Sequence, residues 1–396
     1  MTVAALASQP PTKYQRQLWI EGLLAVAILI VAWIYGFLAT RSPIEPLVSN
    51  VLPGVQSVRA DGEIFTGLDA QGRVVGHAAA ADATGYGGPV YLLVGVDTAG
   101  DILGIQVVEQ RETPGFYALL RDRRFLQGFL GRPAASPFVL GEDVDVISGA
   151  TLTAGAVAEA IRLAARKIEV GALVRTVPPI RFGFPEIALV SLFAAAIMLT
   201  RVRGPRRSIF RWVIMLVSML LLGFWLNQPL TLANFASLLV GYWPTWQDHL
   251  YWYVLLGGVT AMIMVTGKNT YCYTICPFAG VQECFGKLGD AKPFLPVGGY
   301  RRLRRVTRWL AVLALALGLA FRQPGAASFE PFGTLFSFSA GFFPWMLLVF
   351  VLFASLIILR PFCHYLCPVG AILDFMLFLR NQGKRLWKRT KAAPAG

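Results

Sequence analysis

The sequence predicts a polytopic α-helical membrane protein, with six transmembrane helices and one extracytoplasmic α+β domain inserted between the first two. Three observations carry this. Of 396 residues 56% are hydrophobic and the mean hydropathy is +0.58, above the roughly 45–50% apolar content of soluble domains. Apolar runs of bilayer length recur along the chain. Between residues 41 and 180 that pattern stops, and short segments separated by turn signals replace it. The formal charge of +14 clusters beside the apolar runs. That is the distribution of a membrane protein with positive inner loops, so no nucleic-acid partner is expected.

In chain order, residues 1–18 form a polar cytoplasmic N-terminus containing Lys13 and Arg16. Residues 19–40 form the first transmembrane helix. No small-residue cleavage site follows it, so it is expected to be a retained signal anchor. Residues 41–180 make the inserted domain. Val90–Val96 and Ile102–Val108 read as strands around the turn Asp97–Asp101, and His77 falls in another strand. Phe116–Leu130 reads as a helix. The stretch Asp145–Thr153 reads as the end of a strand, a small-residue turn and the start of an amphipathic helix that ends near Val170. Val157, Ile161, Ala164 and Ile168 fall on one face of that helix, and Ser148 or Thr151 can cap its first turn. Five more apolar segments occupy residues 184–360, near 184–200, 209–226, 250–266, 306–321 and 343–359. Residues 361–396 carry a cysteine motif and a basic tail.

Charge sets the orientation. Arg201, Arg203, Arg206 and Arg207 follow the second segment, Arg301, Arg302, Arg304 and Arg305 follow the fourth, and Lys384, Arg385 and Lys388 follow the sixth. The connection 228–248 has no Lys or Arg. Both termini are therefore expected inside a bacterial inner membrane, with the α+β domain in the periplasm. Trp243, Trp246, Tyr251, Trp252 and Tyr253 suit an outer aromatic belt. His249, among Trp246, Gln247, Asp248 and Tyr251, could instead line an outer quinol site.

Four of the five cysteines form two matched pairs. Cys272-Tyr-Thr-Ile-Cys276-Pro277 matches Cys363-His-Tyr-Leu-Cys367-Pro368, and residues 208–290 and 306–380 read as two copies of one helix-pair unit. The C-x3-C spacing puts two thiols one helical turn apart, and the proline breaks regular structure. Four thiolates suffice for one iron–sulfur cluster or one tetrahedral zinc. The cytoplasmic side disfavours disulfides. Cys284 is unpaired and reads as structural, with a fifth-ligand or second-site role as the alternative. His364 is a spare ligand, and the three histidines offer no pair for a haem.

Thr151 has its own chemistry. A helix N-terminus attracts phosphate, and Gly149 and Ala150 leave the Thr151 hydroxyl open to a modifying enzyme. Together with Gly85-Tyr86-Gly87-Gly88-Pro89 and Glu112-Thr113-Pro114-Gly115, the Asp145–Thr151 motif resembles the FMN-binding domain of the RnfG and NqrC subunits of ion-pumping oxidoreductases. The same domain occurs in NosR and NirI membrane flavoproteins. The resemblance implies FMN attached through its phosphate to Thr151, with Thr153 the alternative acceptor, and a flavin transferase as partner. It makes Asp145, Ser148, Gly149 and Ala150 the attachment motif. Tyr86, Glu112 and Thr113 are either flavin-pocket residues or turn residues that specify the fold.

The whole layout is similar to NosR/NirI-type proteins and to the membrane flavoproteins that accompany reductive dehalogenases. Full-length NosR proteins continue into a ferredoxin-type domain, so the shorter layout is the nearer match. The function this implies is electron transfer between the quinone pool, or a cytoplasmic donor, and an extracytoplasmic acceptor. The carriers are covalently bound FMN and a cysteine-ligated iron–sulfur centre, and the partner is a periplasmic reductase or its maturation factors. The alternatives are a redox-sensing regulatory or maturation protein, and a structural zinc bundle carrying a flavin domain. On this reading the flavin and the cysteines face each other across a bilayer core about 30 Å thick, with no further cofactor motif between them.

Overall fold

The computed structural model of the chain describes residues 13–39, 44–112, 114–122, 124–170, 182–244, 246, 249–293, 300–338 and 342–392. Thr113, Gln247 and Asp248 lie outside these. Helix α1 (Lys13–Ala39) leads into a five-stranded antiparallel meander, β1 (Ser57–Asp61), β2 (Ile64–Leu68), β3 (Val74–Thr84), β4 (Pro89–Asp97) and β5 (Ile102–Gln110), paired in sequence order. The two expected strands are β4 and β5, and Asp97 and Asp101 close the turn between them.

The central strands are covered on both faces. Leu92 and Val94 pack under helix α3 (Thr151–Val170), against Val157, Ile161 and Ala164. On the opposite face Leu93 and Ala80 pack against Val48, Val51 and Leu52. Residues 78–81 of β3 are all alanine and all buried, because helix and turn both approach that strand closely. A Cβ on Gly104 would sit 2.7 Å from the Val51 backbone, so only glycine lets that turn lie on the sheet.

The expected helix Phe116–Leu130 is broken. Helix α2 (Pro114–Asp122) stops, Arg124 takes φ +51°, and Phe125–Phe129 continue as a 3-10 turn. The break turns Phe125 and Phe129 into the core beside Phe138, which a straight amphipathic helix could not do.

The second half is helical: α4 (Phe184–Leu199), α5 (Arg206–Ser218, extended by a π-turn to Trp225), α6 (Leu232–Val240), α7 (Leu250–Thr266), α8 (Pro277–Leu288), α9 (Tyr300–Ala320), α10 (Phe332–Ser337), α11 (Phe342–Ile357), α12 (Pro361–Tyr365) and α13 (Pro368–Ala392). Each of the six apolar segments expected from the sequence is a helix within a few residues. Two helical stretches, Arg16–Ala39 and Arg206–Trp225, are long and apolar enough to cross a membrane; α4, α7 and α11 are apolar but shorter. Helix α9 starts in a basic stretch whose Arg305 and Arg308 pair with Glu21 of α1 at 2.8 and 2.7 Å. The connections 228–248 and 323–342 contain the short helices α6 and α10. Thr231 and Asn234 form a capping box at the start of α6, and the carboxylate of Glu330 accepts the Leu232 N–H at 2.8 Å.

The sheet domain docks on the helices through named contacts. Arg111 donates to the Phe321 carbonyl at the end of α9. Arg322 beside it donates to the Tyr242 hydroxyl at 3.1 Å. At the other end of the helices, Arg380 of α13 donates to the Met264 carbonyl at 2.8 Å.

Candidate functional site: the Thr151 turn and the cysteine cavity

The Thr151 turn is built by glycine. The Ala150 N–H bonds the Ile147 carbonyl at 3.0 Å, and Gly149 between them has φ +86°. A type II turn demands that conformation at its third residue. The turn buries Ile147 and Ala150 in the domain core and leaves Asp145, Ser148, Gly149 and Thr151 exposed. Thr151 is the first residue of α3, and its hydroxyl approaches the Ile147 carbonyl at 3.5 Å. Thr153 is 1% exposed and its hydroxyl oxygen has no hydrogen-bond partner. Of the two candidate hydroxyls, only that of Thr151 is open to an enzyme. It sits where helix N–H groups and dipole favour a phosphate.

The Gly85–Pro89 and Glu112 motifs, far apart in sequence, meet beside this turn. Glu112 is fully buried, and its carboxylate accepts the N–H groups of Tyr86 and Gly87, both at 2.8 Å. A Cβ on Gly85 would collide with that carboxylate and lie 3.3 Å from Ala156 of α3. Glu112 therefore clasps the Gly85–Gly88 loop against the helix that starts at Thr151. Of the two readings of Glu112, its contacts support the fold-specifying one. Tyr86 packs on the same core as Ala150 and Ala154. Burial, and then the charges of Glu330 and Glu112, push its phenol pKa up.

The second site gathers the two repeats. Cys272, Cys276, Cys363 and Cys367 line one cavity of about 220 Å³ with Tyr271, Arg304, Arg360 and His364. The pairs do not each ride a single helix face, as the spacing alone implies. Tyr271–Ile275 is a π-turn that ends at Cys276, which has left helical conformation (ψ 116°) and caps α8 at Pro277. In the second copy Cys363 lies in α12, and Cys367 immediately precedes Pro368, the first residue of α13. The prolines thus start new helices, where their missing N–H is not needed. The Gly370 N–H points back at the Cys367 sulfur at 3.3 Å. Such N–H groups favour the thiolate.

Side chains around the cavity hold the sulfurs. Gln282 donates to the Cys363 sulfur at 3.1 Å and accepts the Phe362 N–H at 3.0 Å. Arg360 donates to the carbonyls of Cys272 and Tyr273 at 3.0 and 3.3 Å, and Glu283 pairs with both Arg360 and Arg211. Among the described residues no three His, Cys, Asp or Glu side chains are close enough to hold a single metal ion. The four thiols ring a cavity instead. A ring of thiols with N–H donors and two arginines beside it fits an anionic polynuclear cluster. Cys284, on α8, is partly exposed and is not part of the cavity lining.

The remaining histidines take other places. His77 pairs across strands with Thr66 at 3.2 Å, and His249 is the residue preceding α7. Tyr251 leaves the expected surface belt: it is 7% exposed, and its hydroxyl donates to the Gln228 carbonyl at 3.1 Å. Trp243 and Trp246 are exposed as expected. Sequence reasoning missed Gln282, Glu283 and Arg360, since nothing in their spacing marks them until the two repeats are brought together in space.

Both candidate sites fall within segments that match known families. Residues 85–166 match the FMN-binding domain family, and residues 248–295 and 340–386 match the 4Fe-4S binding domain family. The second match falls as two segments, one on each cysteine pair. The chain is 36% identical over 103 residues to a component of the ion-translocating oxidoreductase complex of Methanosarcina acetivorans, covering 25% of this chain and 55% of that one. It is 29% identical over 209 residues to protein NirI of Paracoccus denitrificans, 47% of this chain and 30% of NirI. It is 27% identical over 128 residues to the regulatory protein NosR of Stutzerimonas stutzeri, 30% of this chain and 18% of NosR. The chain thus spans about half of the Methanosarcina relative and under a third of NirI.

Proposed function

We propose, from its matches to the FMN-binding domain and 4Fe-4S binding domain families and its similarity to NirI and NosR, that this chain is of the NosR/NirI type and is a membrane-bound electron-transfer flavoprotein. It carries FMN covalently on Thr151 and one iron–sulfur cluster on Cys272, Cys276, Cys363 and Cys367. Its donor is the quinone pool or a cytoplasmic reductant, and its acceptor is a periplasmic reductase or the maturation system of one. The observation that carries this reading is the pairing of two sites: four cysteines from two repeats around one cavity, and one exposed hydroxyl at the helix start of the FMN-binding domain. When bound, flavin and cluster supply the electron carriers. The chain's own residues do the rest. The N-terminus of α3 holds the phosphate, the Glu112 clasp orders the adjoining loop, and Gln282, Gly370 and Arg360 hold the sulfur ring.

Six spans and an inner-membrane location belong to the same proposal. In support, the helices carry large apolar side chains on their outside, among them Leu23, Val31, Val213, Leu220, Phe350 and Phe353. Arg304, Arg305 and Arg308 lie near the start of α9, the end opposite Phe321 where Arg111 of the sheet domain docks, as the positive-inside rule favours for a periplasmic sheet domain; Arg322 is at the docking end. A regulatory role is the second reading, favoured by the name of the NosR relative.

Intact mass of the purified chain tests the flavin anchor. An adduct of FMN size that is lost in Thr151→Ala and kept in Thr153→Ala is expected, and an adduct that survives Thr151→Ala overturns the assignment. Iron and acid-labile sulfide, lost together in Cys276→Ala, test the cluster, and stoichiometric zinc without iron would replace it by the structural-zinc reading. Flavin reduction by a quinol or a cytoplasmic donor separates the electron carrier from the regulator.

A further inference from the structure

The junction between the sheet domain and the helices encloses a second cavity, of about 290 Å³, which shares no residue with the cysteine cavity. That is close to the lower end of small-molecule sites, about 300 Å³. One wall is a row across the sheet. Asp82 of β3 pairs with Tyr91 of β4, which pairs with Glu109 of β5, so the three side chains share one face. The facing wall comes from helix ends: Phe37 of α1, Tyr242 just after α6 and Arg322 just after α9. Gly36 makes this approach possible. A Cβ there would collide with the Leu319 carbonyl and lie 3.2 Å from Cγ of Arg322.

The polar lining is incompletely satisfied. Arg111 is 5% exposed and lines the cavity. Its Nη1 donates to the Phe321 carbonyl, and Glu109 is ion-paired to it. Yet its Nε and Nη2 have no hydrogen-bond partner among the described residues, and a buried donor left unmade is costly. Arg322 takes the left-handed conformation, φ +49°. Its Nε donates to the Tyr242 hydroxyl at 3.1 Å, and its guanidinium lies 5.2 Å from the centre of that ring. The four charges in the lining, Asp82, Glu109, Arg111 and Arg322, cancel. The cavity is therefore poorly suited to a free anion. It offers N–H donors, carboxylate acceptors and three aromatic rings, which suits a neutral, flat ring that carries oxygens.

We propose that this cavity binds the head group of a membrane quinone or its quinol. The reading of the chain as a membrane electron carrier underlies this, and the cavity gives its quinone partner a place. Arg111 and Arg322 donate to a ring oxygen, the Asp82 carboxylate accepts a quinol hydroxyl, and Phe37, Tyr91 and Tyr242 flank the ring. The surroundings suit an isoprenoid tail. On α1, which ends at the cavity, Val31, Tyr35 and Leu38 are exposed, and so are Leu317 of α9 and Phe321 after it. A tail leaving the cavity runs along these apolar surfaces into the bilayer.

The test is direct binding by the full chain in lipid nanodiscs, with flavin and iron measured first. A short-chain azido-ubiquinone is photolysed on the protein, decylubiquinone competes with it, and the labelled peptide is mapped by mass spectrometry. Label is expected on the segments of Phe37, Tyr91 or Tyr242, and decylubiquinone is expected to abolish it. Tyr242→Leu, which removes a ring wall, and Arg322→Gln are expected to weaken labelling about tenfold. Asp82 is exposed, so Asp82→Asn guards against misfolding. It should weaken competition by decylubiquinol several-fold and leave that by decylubiquinone unchanged. His249→Ala, at the outer position that the sequence offered for a quinol site, should label like wild type. Label on other segments, labelling unchanged in Tyr242→Leu and Arg322→Gln, or loss of label in His249→Ala overturns the site. Displacement of the probe by inorganic phosphate or by anionic lipid overturns it in favour of an anion site. A chain labelled at this cavity that holds neither iron nor flavin overturns the electron-carrier reading instead.

Discussion

Replacing Glu112 by alanine discriminates a clasp from a flavin contact. The side chain is fully buried, and its two oxygens take the Tyr86 and Gly87 N–H groups at 2.8 Å each. Alanine leaves both donors buried without that acceptor. Hydrogen bonds to a charged group are worth about 1.5–3 kcal/mol each, so the loss is about 3–4 kcal/mol once solvent enters the vacated space. For a domain of roughly 130 residues, each kcal/mol moves the melting midpoint by about 3–4 °C. The sheet domain of Glu112→Ala should therefore melt about 10–15 °C below wild type. Glu112→Gln keeps one acceptor oxygen and should lose about half as much. The assay is scanning calorimetry of the full chain in detergent, with the flavin visible spectrum recorded in parallel. A Tm within about 2 °C of wild type together with an altered flavin spectrum would refute the clasp and make Glu112 a flavin contact.

Gly149→Val forces a β-branched residue to φ +86°; at a cost of about 1–2 kcal/mol, the turn deforms and the flavin adduct measured by mass falls sharply. Thr153→Val removes a buried hydroxyl that has no partner, so thermal stability is expected to be unchanged or slightly raised and the adduct retained. Glu283→Leu leaves Arg211 and Arg360 without their shared carboxylate. Losing one partner of a buried pair costs about 3–5 kcal/mol, and the iron content of the purified chain should drop. Gln282→Leu removes the bond to the Cys363 sulfur, and a shifted cluster EPR spectrum with retained iron is the expected result.

Much of the architecture was legible because it depends on patterns that tertiary contacts cannot easily override. A long apolar run becomes a helix with its polar backbone satisfied internally, and all six segments did so within a few residues of their expected ends. The alternation in β4 and β5 and the glycine of the Thr151 turn were equally local. What local pattern missed had other causes. The strand expected at His77 is β3, but its run through residues 78–81 is alanine with weak strand propensity, held in the sheet by the layers that cover both faces. Arg124 interrupts a helical pattern so that two phenylalanines can enter the core. Helices α6 and α10 lie in connections whose short apolar stretches resemble loops.

The residue types of the candidate sites were set by sequence alone: a hydroxyl after Ser-Gly-Ala at a helix start, and two C-x3-C-P repeats. Chemistry at that level needs only side-chain identity and spacing. The tertiary structure decided which hydroxyl is exposed and that Glu112 clasps a loop. It also brought the four thiols around one cavity and buried Tyr251 instead of leaving it at the surface. Each of these is a relation between segments tens to hundreds of residues apart, produced by packing that spacing along the chain does not encode.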